Sequence, residues 1–199
     1  ISNIHPKLML ELMEDSPFRP AYRKRIESLE DTYGIFTLYL AMKEKSYRYI
    51  NNNYYHYDTM DVWDGDNYHP ENWPKGYMLH LSPDPNDFQY TDTIIMNTYL
   101  KWSEVEKWSN TTVEKRGEEY KAFKQERAEK MLNILERDFP GIRDSVRDYY
   151  TSTPLTYRDY TGTTKGSIYG ILKDYNNPLK TIIVPRTRVR NLLHTGQNI

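Results

Sequence analysis

Helical periodicity over residues 113–138 is the feature that most restricts this chain. Tyr120, Phe123, Ala128, Met131, Leu135 and Phe139 recur on one flank, with Glu and Lys opposite, and Phe139-Pro140-Gly141 ends the run. An amphipathic helix of that length must lay its apolar flank on another element. The text before it supplies one. Residues 33–42 (YGIFTLYLAM), 47–57 (YRYINNNYYHY), 76–82 and 91–99 are rich in β-branched and aromatic side chains and read as four strands. The reading is α+β, a mostly antiparallel sheet with helices packed on one side.

Smaller elements follow from punctuation. Residues 1–4 read as a short strand closed by His5-Pro6, and residues 6–14 as a helix broken at Asp15-Ser16-Pro17. Residues 18–29 predict a second, more polar helix. Residues 58–75, rich in Asp, Asn, Pro and Trp, read as an ordered loop. Ile142, Val146 and Tyr149 predict a short helix that stops before Pro154. At 199 residues one domain, 1–199, is the expectation. Because the first residue is Ile1 and both ends stop in apolar text, the chain reads as a fragment.

Charge and composition exclude several functions. Twenty-seven basic residues against 28 acidic ones leave a formal charge of -1, so no overall field would hold nucleic acid or an anionic membrane surface. There is no cysteine, which removes thiol catalysis and thiolate metal sites. His5, His56, His69, His80 and His194 are scattered without metal-ligand spacing, and the acidic loop at Asp58, Asp61, Asp64 and Asp66 lacks the order of a calcium loop, so no metal is expected. Neither a GxGxxG fingerprint nor a GxSxG elbow occurs. Arg186, Arg188 and Arg190 alternate as on a strand edge, marking a solvated face or a domain contact.

Two features point toward a ligand. Nineteen tyrosines are unusual for this length, and those at 39, 47, 49, 54, 55 and 57 fit a carbohydrate platform, an apolar tunnel wall or one half-buried sheet face. In residues 153–170 (TPLTYRDYTGTTKGSIYG), Gly162, Gly166 and Gly170 fall four apart among Tyr157, Tyr160 and Tyr169. They fit either turns and close packing or close approach to a ligand.

The C-terminal quarter resembles a family. Thr153-Pro154-Leu155-Thr156, Tyr160-Thr161-Gly162, Gly166-Ser167-Ile168-Tyr169-Gly170, Pro185-Arg186 and Asn191-Leu192-Leu193-His194-Thr195-Gly196 are similar in order to the end of the substrate domain in FAD-dependent phytoene desaturase, carotenoid isomerase and retinol saturase-like oxidoreductases. Leu193-His194 stand where that family's motif has Tyr-Leu. The resemblance implies the substrate-binding portion of a flavoprotein, with residues 1–6 and 190–199 leading into a FAD-binding domain. It implies FAD in the whole protein and none held by this chain alone, an apolar polyene or isoprenoid-like substrate, and it leaves the catalytic residues unknown. It implies that Tyr157, Tyr160 and Tyr169 face the substrate channel and that Gly196 and Gln197 lie where the chain returns to the flavin. It implies a cytoplasmic protein and leaves a peripheral membrane contact open. It also requires residues 195–198 to lie beside residues 1–3. The alternative reading is a non-catalytic carbohydrate- or partner-binding module with a Tyr- and Trp-rich face.

Overall fold

A computed structural model describes residues 1–13 and 18–199. The expected end of the first helix at Glu14, and the break at Asp15-Ser16-Pro17, lie outside the described residues. The chain divides into two compact units, Ile35–Thr153 and a discontinuous one made of Ile1–Gly34 with Pro154–Ile199.

The first of these holds a five-stranded antiparallel sheet in the order β2-β3-β4-β1-β5. Its strands are β1 (Gly34–Met42), β2 (Tyr54–Tyr57), β3 (Gly76–Pro83), β4 (Thr91–Leu100) and β5 (Val146–Ser152). The α+β expectation holds, with one more strand than the sequence suggested. Residues 146–152 form a strand in register with β1, Tyr39 opposite Tyr150 and Leu40 opposite Tyr149. The short helix expected there does not form. Val146, Tyr149, Tyr150 and Thr151 suit a pleated surface, and the edge of β1, more than 100 residues upstream, satisfies their backbone groups. The strand expected over 47–57 is also divided. Tyr49 N–H donates to the Gln89 carbonyl and Thr91 N–H to that of Tyr47, whereas the asparagines turn and only Tyr54–Tyr57 pair with β3.

One face of the sheet is closed by the long helix α3 (Gly117–Asp138). Leu79 opposes Met96 and Leu81 opposes Ile94, and these join Leu38 and Leu40 in a layer at most 3% exposed. Ala128, Met131 and Leu135 of α3 are fully buried, and each large side chain so buried contributes about 1.5–3 kcal/mol. The helix starts later than its periodicity suggests because Glu114 adopts a left-handed φ of 64°. Its far end is tied to the sheet, the Tyr77 hydroxyl donating to Asp138 at 2.7 Å and Phe139 meeting Tyr54 edge-on at 5.0 Å. The expected loop over 58–75 is ordered around Trp73, 1% exposed, whose indole donates to the Tyr99 carbonyl at 2.7 Å and lies under the Arg127 guanidinium.

The discontinuous unit is helical. Here α1 (Pro6–Leu12) and α2 (Pro20–Glu27) begin on prolines, whose missing N–H is tolerated in a first turn. With α4 (Pro154–Thr161), α5 (Pro178–Thr181) and extended C-terminal chain, they complete the unit. Its core is Met9, Leu10, Phe18, Ile26, Leu29, Ile171 and Ile183. Of the strand expected over residues 1–4, only a bridge at Ser2 forms. It pairs in parallel with His194, Ser2 N–H donating to Leu193 at 2.7 Å and Thr195 N–H to Ser2 at 2.9 Å. The expected proximity of residues 1–3 to 195–198 is therefore present.

A buried polar knot fixes the start of α1. His5 Nδ1 accepts the Lys7 amide at 3.3 Å, so the ring proton sits on Nε2, which donates to Asp31 at 2.7 Å; Lys7 Nζ binds the other carboxylate oxygen at 2.5 Å and the Leu29 carbonyl at 2.6 Å. Burial raises the Asp31 pKa, but hydrogen bonds from His5 and Lys7 outweigh it, and the net shift is downward. A carboxylate depressed in the folded state adds stability above its unfolded pKa of about 3.9, and that stability disappears as pH falls through the folded value. Asp31→Asn should cost about 3 kcal/mol at neutral pH, a gap that closes below about pH 4. Urea unfolding followed by far-ultraviolet circular dichroism at several pH values measures it; a gap that stays constant down to acid pH would contradict the assignment.

Candidate functional site

The segment 153–170 begins as helix. Tyr157 and Tyr160 stand three apart on α4, Tyr157 half-buried and Tyr160 73% exposed. Tyr169, 58% exposed, follows in extended chain that pairs with residues 30–33: Ile168 N–H donates to the Tyr33 carbonyl, Thr32 N–H to that of Gly170, and Leu172 N–H to that of Glu30. All three tyrosines belong to one unit, and two present most of their ring surface to solvent.

The neighbouring glycines serve the packing of their own chain. A Cβ on Gly166 would sit 1.8 Å from the Pro154 carbonyl oxygen, and one on Gly170 would sit 2.1 Å from Asn198 Oδ1. That same oxygen accepts the Ile171 amide at 2.9 Å, so Gly170 is the gap through which the C-terminal run reaches the middle of its unit. Of the two readings open for these glycines, turns and close packing are what the geometry shows. The contact made at Gly162 is with Leu8.

Gly196 turns beside Asn3, and the Gln197 amide donates to the Ile168 carbonyl at 3.2 Å. Neither forms a cradle for a dinucleotide, and among the described residues no glycine-rich turn links a strand to a helix, so these residues do not fit a complete flavin site. His194, the bridge partner of Ser2, is 4% exposed, with Nε2 unpartnered, and burial lowers its pKa.

Sheet register sorts the remaining tyrosines, which no single strand could do. The Thr37 hydroxyl donates to Asn97 Oδ1 at 2.7 Å, so odd residues of β1 and β4 share a face. Tyr55 opposes Met78, Met78 opposes Asn97, His80 opposes Ile95, and Tyr39 opposes Tyr150. The face turned away from α3 therefore carries Tyr39, Tyr55, Met78, Ile95, Tyr99 and Tyr150. Tyr55 is 61% and Tyr150 67% exposed, whereas Leu38, Leu40 and Met96 on the opposite face are at 0%. Those six positions hold rings and aliphatic groups with hydroxyl tips, a surface suited to apolar or planar matter, and the same register adds His80, opposite Ile95, and Asp148, opposite Ala41, to that face. Tyr54, by contrast, lies on the α3 side against Phe139. Tyr47 is half-buried, which raises its pKa, and the Tyr49 hydroxyl donates to Asn51. Met78, Ile95, Tyr99 and Tyr150 were absent from the sequence reading because alternation shows which residues share a face of one strand, never which faces of different strands coincide.

Among the described residues no group of three His, Asp or Glu side chains could hold a metal ion, and no helix is long and apolar enough to cross a membrane.

No family model matches the chain. Two curated proteins are similar to it. All-trans-retinol 13,14-reductase of Danio rerio is 26% identical over 120 residues, 59% of this chain and 19% of that protein. All-trans-retinol 13,14-reductase of Homo sapiens is 26% identical over 115 residues, 56% of this chain and 19% of that protein. The aligned stretch thus spans about a fifth of the length of these relatives.

Gly166→Ala should destabilise the discontinuous unit by about 3 kcal/mol, since both the left-handed φ of 64° and the Pro154 carbonyl oppose a side chain. Gly117→Ala, at φ 78° with open space around it, should cost only about 1–2 kcal/mol. Chemical denaturation followed by circular dichroism compares the two; equal losses would show that crowding at Gly166 is not the cause.

Proposed function

We propose that this chain supplies the substrate-binding portion of an FAD-dependent oxidoreductase that saturates a double bond of an isoprenoid-like apolar substrate. The observation that carries the reading is the aromatic-rich face of the sheet, Tyr39, Tyr55, Met78, Ile95, Tyr99 and Tyr150. A polyene needs a flat apolar wall and exclusion of water, and it needs no acid or base from that wall. The similarity to two retinol reductases supports the substrate class and the direction of the reaction.

On this reading the flavin, bound by another portion of the whole protein, supplies the hydride chemistry. Residues of this chain bind and orient the substrate. Tyr157, Tyr160 and Tyr169 are a second candidate substrate-binding surface, within the helical unit alone. Residues 1–6 and 190–199, hydrogen-bonded through Ser2 and His194, lie nearest the flavin-binding portion, with Gly196 and Gln197 at its border.

Whole protein carrying Tyr55→Ala or Tyr150→Ala should bind all-trans-retinol about tenfold more weakly, equivalent to ~1.4 kcal/mol, with its flavin absorbance unchanged. Titration read by retinol's own fluorescence measures this. Whole protein that purifies without a flavin chromophore, or that binds a glycan and no retinoid, would defeat the proposal.

A further inference from the structure

The sheet face that carries the tyrosines changes character along its strands. At one end Tyr55 opposes Met78 and Tyr57 opposes Gly76, and the Tyr99 ring stands so close to the loop over 58–75 that a Cβ on Gly65 would sit 2.8 Å from it. Rings and a thioether make up this end, and the loop at Gly65 bounds it. Asn97, opposite Met78, has its side-chain oxygen taken by the Thr37 hydroxyl at 2.7 Å. At the other end His80 opposes Ile95 and Ser82 opposes Thr93. Tyr99 and Ile95 are four residues apart on β4, about 13 Å of strand. The face thus passes from apolar to polar over a short distance.

His80 is exposed, and one strong hydrogen bond sets its ring. Nδ1 lies 2.8 Å from the side-chain oxygen of Asn53, which can only accept, so the ring proton sits on Nδ1 and Nε2 is left as an acceptor. The Ser82 hydroxyl stands 3.5 Å from Nε2, at the outer limit of a hydrogen bond, so that lone pair keeps room for a closer donor. Asn53 is itself placed by the asparagine turn that leads into β2, the strand beside β3. Every residue in this arrangement belongs to the sheet unit.

We propose that His80 recognises the hydroxyl group of an isoprenoid alcohol whose hydrocarbon chain lies on the tyrosine-rich end of the same face. The hydroxyl donates to Nε2, and the chain extends past Ile95 and Met78 toward Tyr55 and Tyr99. Polarity selects this occupant. An alcohol has a proton to give to Nε2, whereas an ether, an ester or an ionised carboxylate has none and would leave the acceptor unpaired once water is displaced. A plain hydrocarbon would cover the apolar end equally well and gain nothing at the polar one. The inference rests on the reading of this face as a substrate surface, and adds to it the direction in which the substrate lies and the functional group that fixes that direction.

Whole protein is titrated with all-trans-retinol and, separately, with its methyl ether, each followed by the fluorescence of the polyene. The alcohol should bind about tenfold more tightly, the worth of one hydrogen bond. His80→Ala should abolish that preference, bringing the two affinities together, with an unaltered circular dichroism spectrum. His80→Gln keeps a side-chain oxygen that accepts and should retain most of the preference. Equal binding of alcohol and ether by the unaltered protein, a preference that survives His80→Ala, or one lost as fully in His80→Gln as in His80→Ala would overturn the role of His80 while leaving the substrate face intact. Binding of neither compound would overturn both together.

Discussion

Two stretches of chain separated by residues 35–153 must meet before the helical unit can exist, and backbone pairing between them is the constraint on which that unit depends. The Ser2–His194 and Asp31–Ile171 bridges join the first stretch to the second, and Asn198 then reaches through the gap at Gly170 to the Ile171 amide. None of these contacts is local. Closing so long a loop costs entropy that increases only slowly with length, and the buried core around Ile26, Leu29, Ile171 and Ile183 offsets it. The His5–Asp31–Lys7 knot then fixes where α1 starts relative to that seam.

The sheet unit answers a different requirement, that a 22-residue helix bury one flank. The layer of Leu38, Leu40, Leu79, Leu81, Ile94 and Met96 satisfies it on one side only, which leaves the other side half-exposed and aromatic. The charge buried on the helix side is matched. Arg127, 7% exposed, meets Glu104 at 2.5 Å and lies over the Trp73 ring, and the Tyr68 hydroxyl donates to the second Glu104 oxygen. Removing either partner would leave the other ionised without a counter-charge in a dry setting.

What the sequence disclosed depended on the range of the interaction. Strands β1, β3 and β4 and helix α3 were legible because their apolar spacing is a local property. Residues 146–152 were misread, because their apolar spacing fits helix as well as strand and only the distant edge of β1 decides between them. The glycines at 162, 166 and 170 were singled out correctly, but whether a glycine faces a ligand or its own chain is settled by what stands opposite, here Leu8, Pro154 and Asn198. The tyrosines at 39, 54, 55 and 57 looked like one surface, and register divided them between two faces. His194 drew notice as one of the scattered histidines and as a departure from a motif, whereas its burial beside Ser2 requires the two ends of the chain to be seen together.

All four tryptophans, Trp63, Trp73, Trp102 and Trp108, lie between residues 35 and 153. The helical unit has none. Intrinsic tryptophan emission is consequently a report on the sheet unit alone, combining the shielded indole of Trp73 with that of Trp63, 88% exposed and open to a collisional quencher. An unfolding curve drawn from tryptophan and one drawn from backbone dichroism coincide only if both units melt together, so this uneven placement of indoles makes the chain a built-in gauge of its own cooperativity.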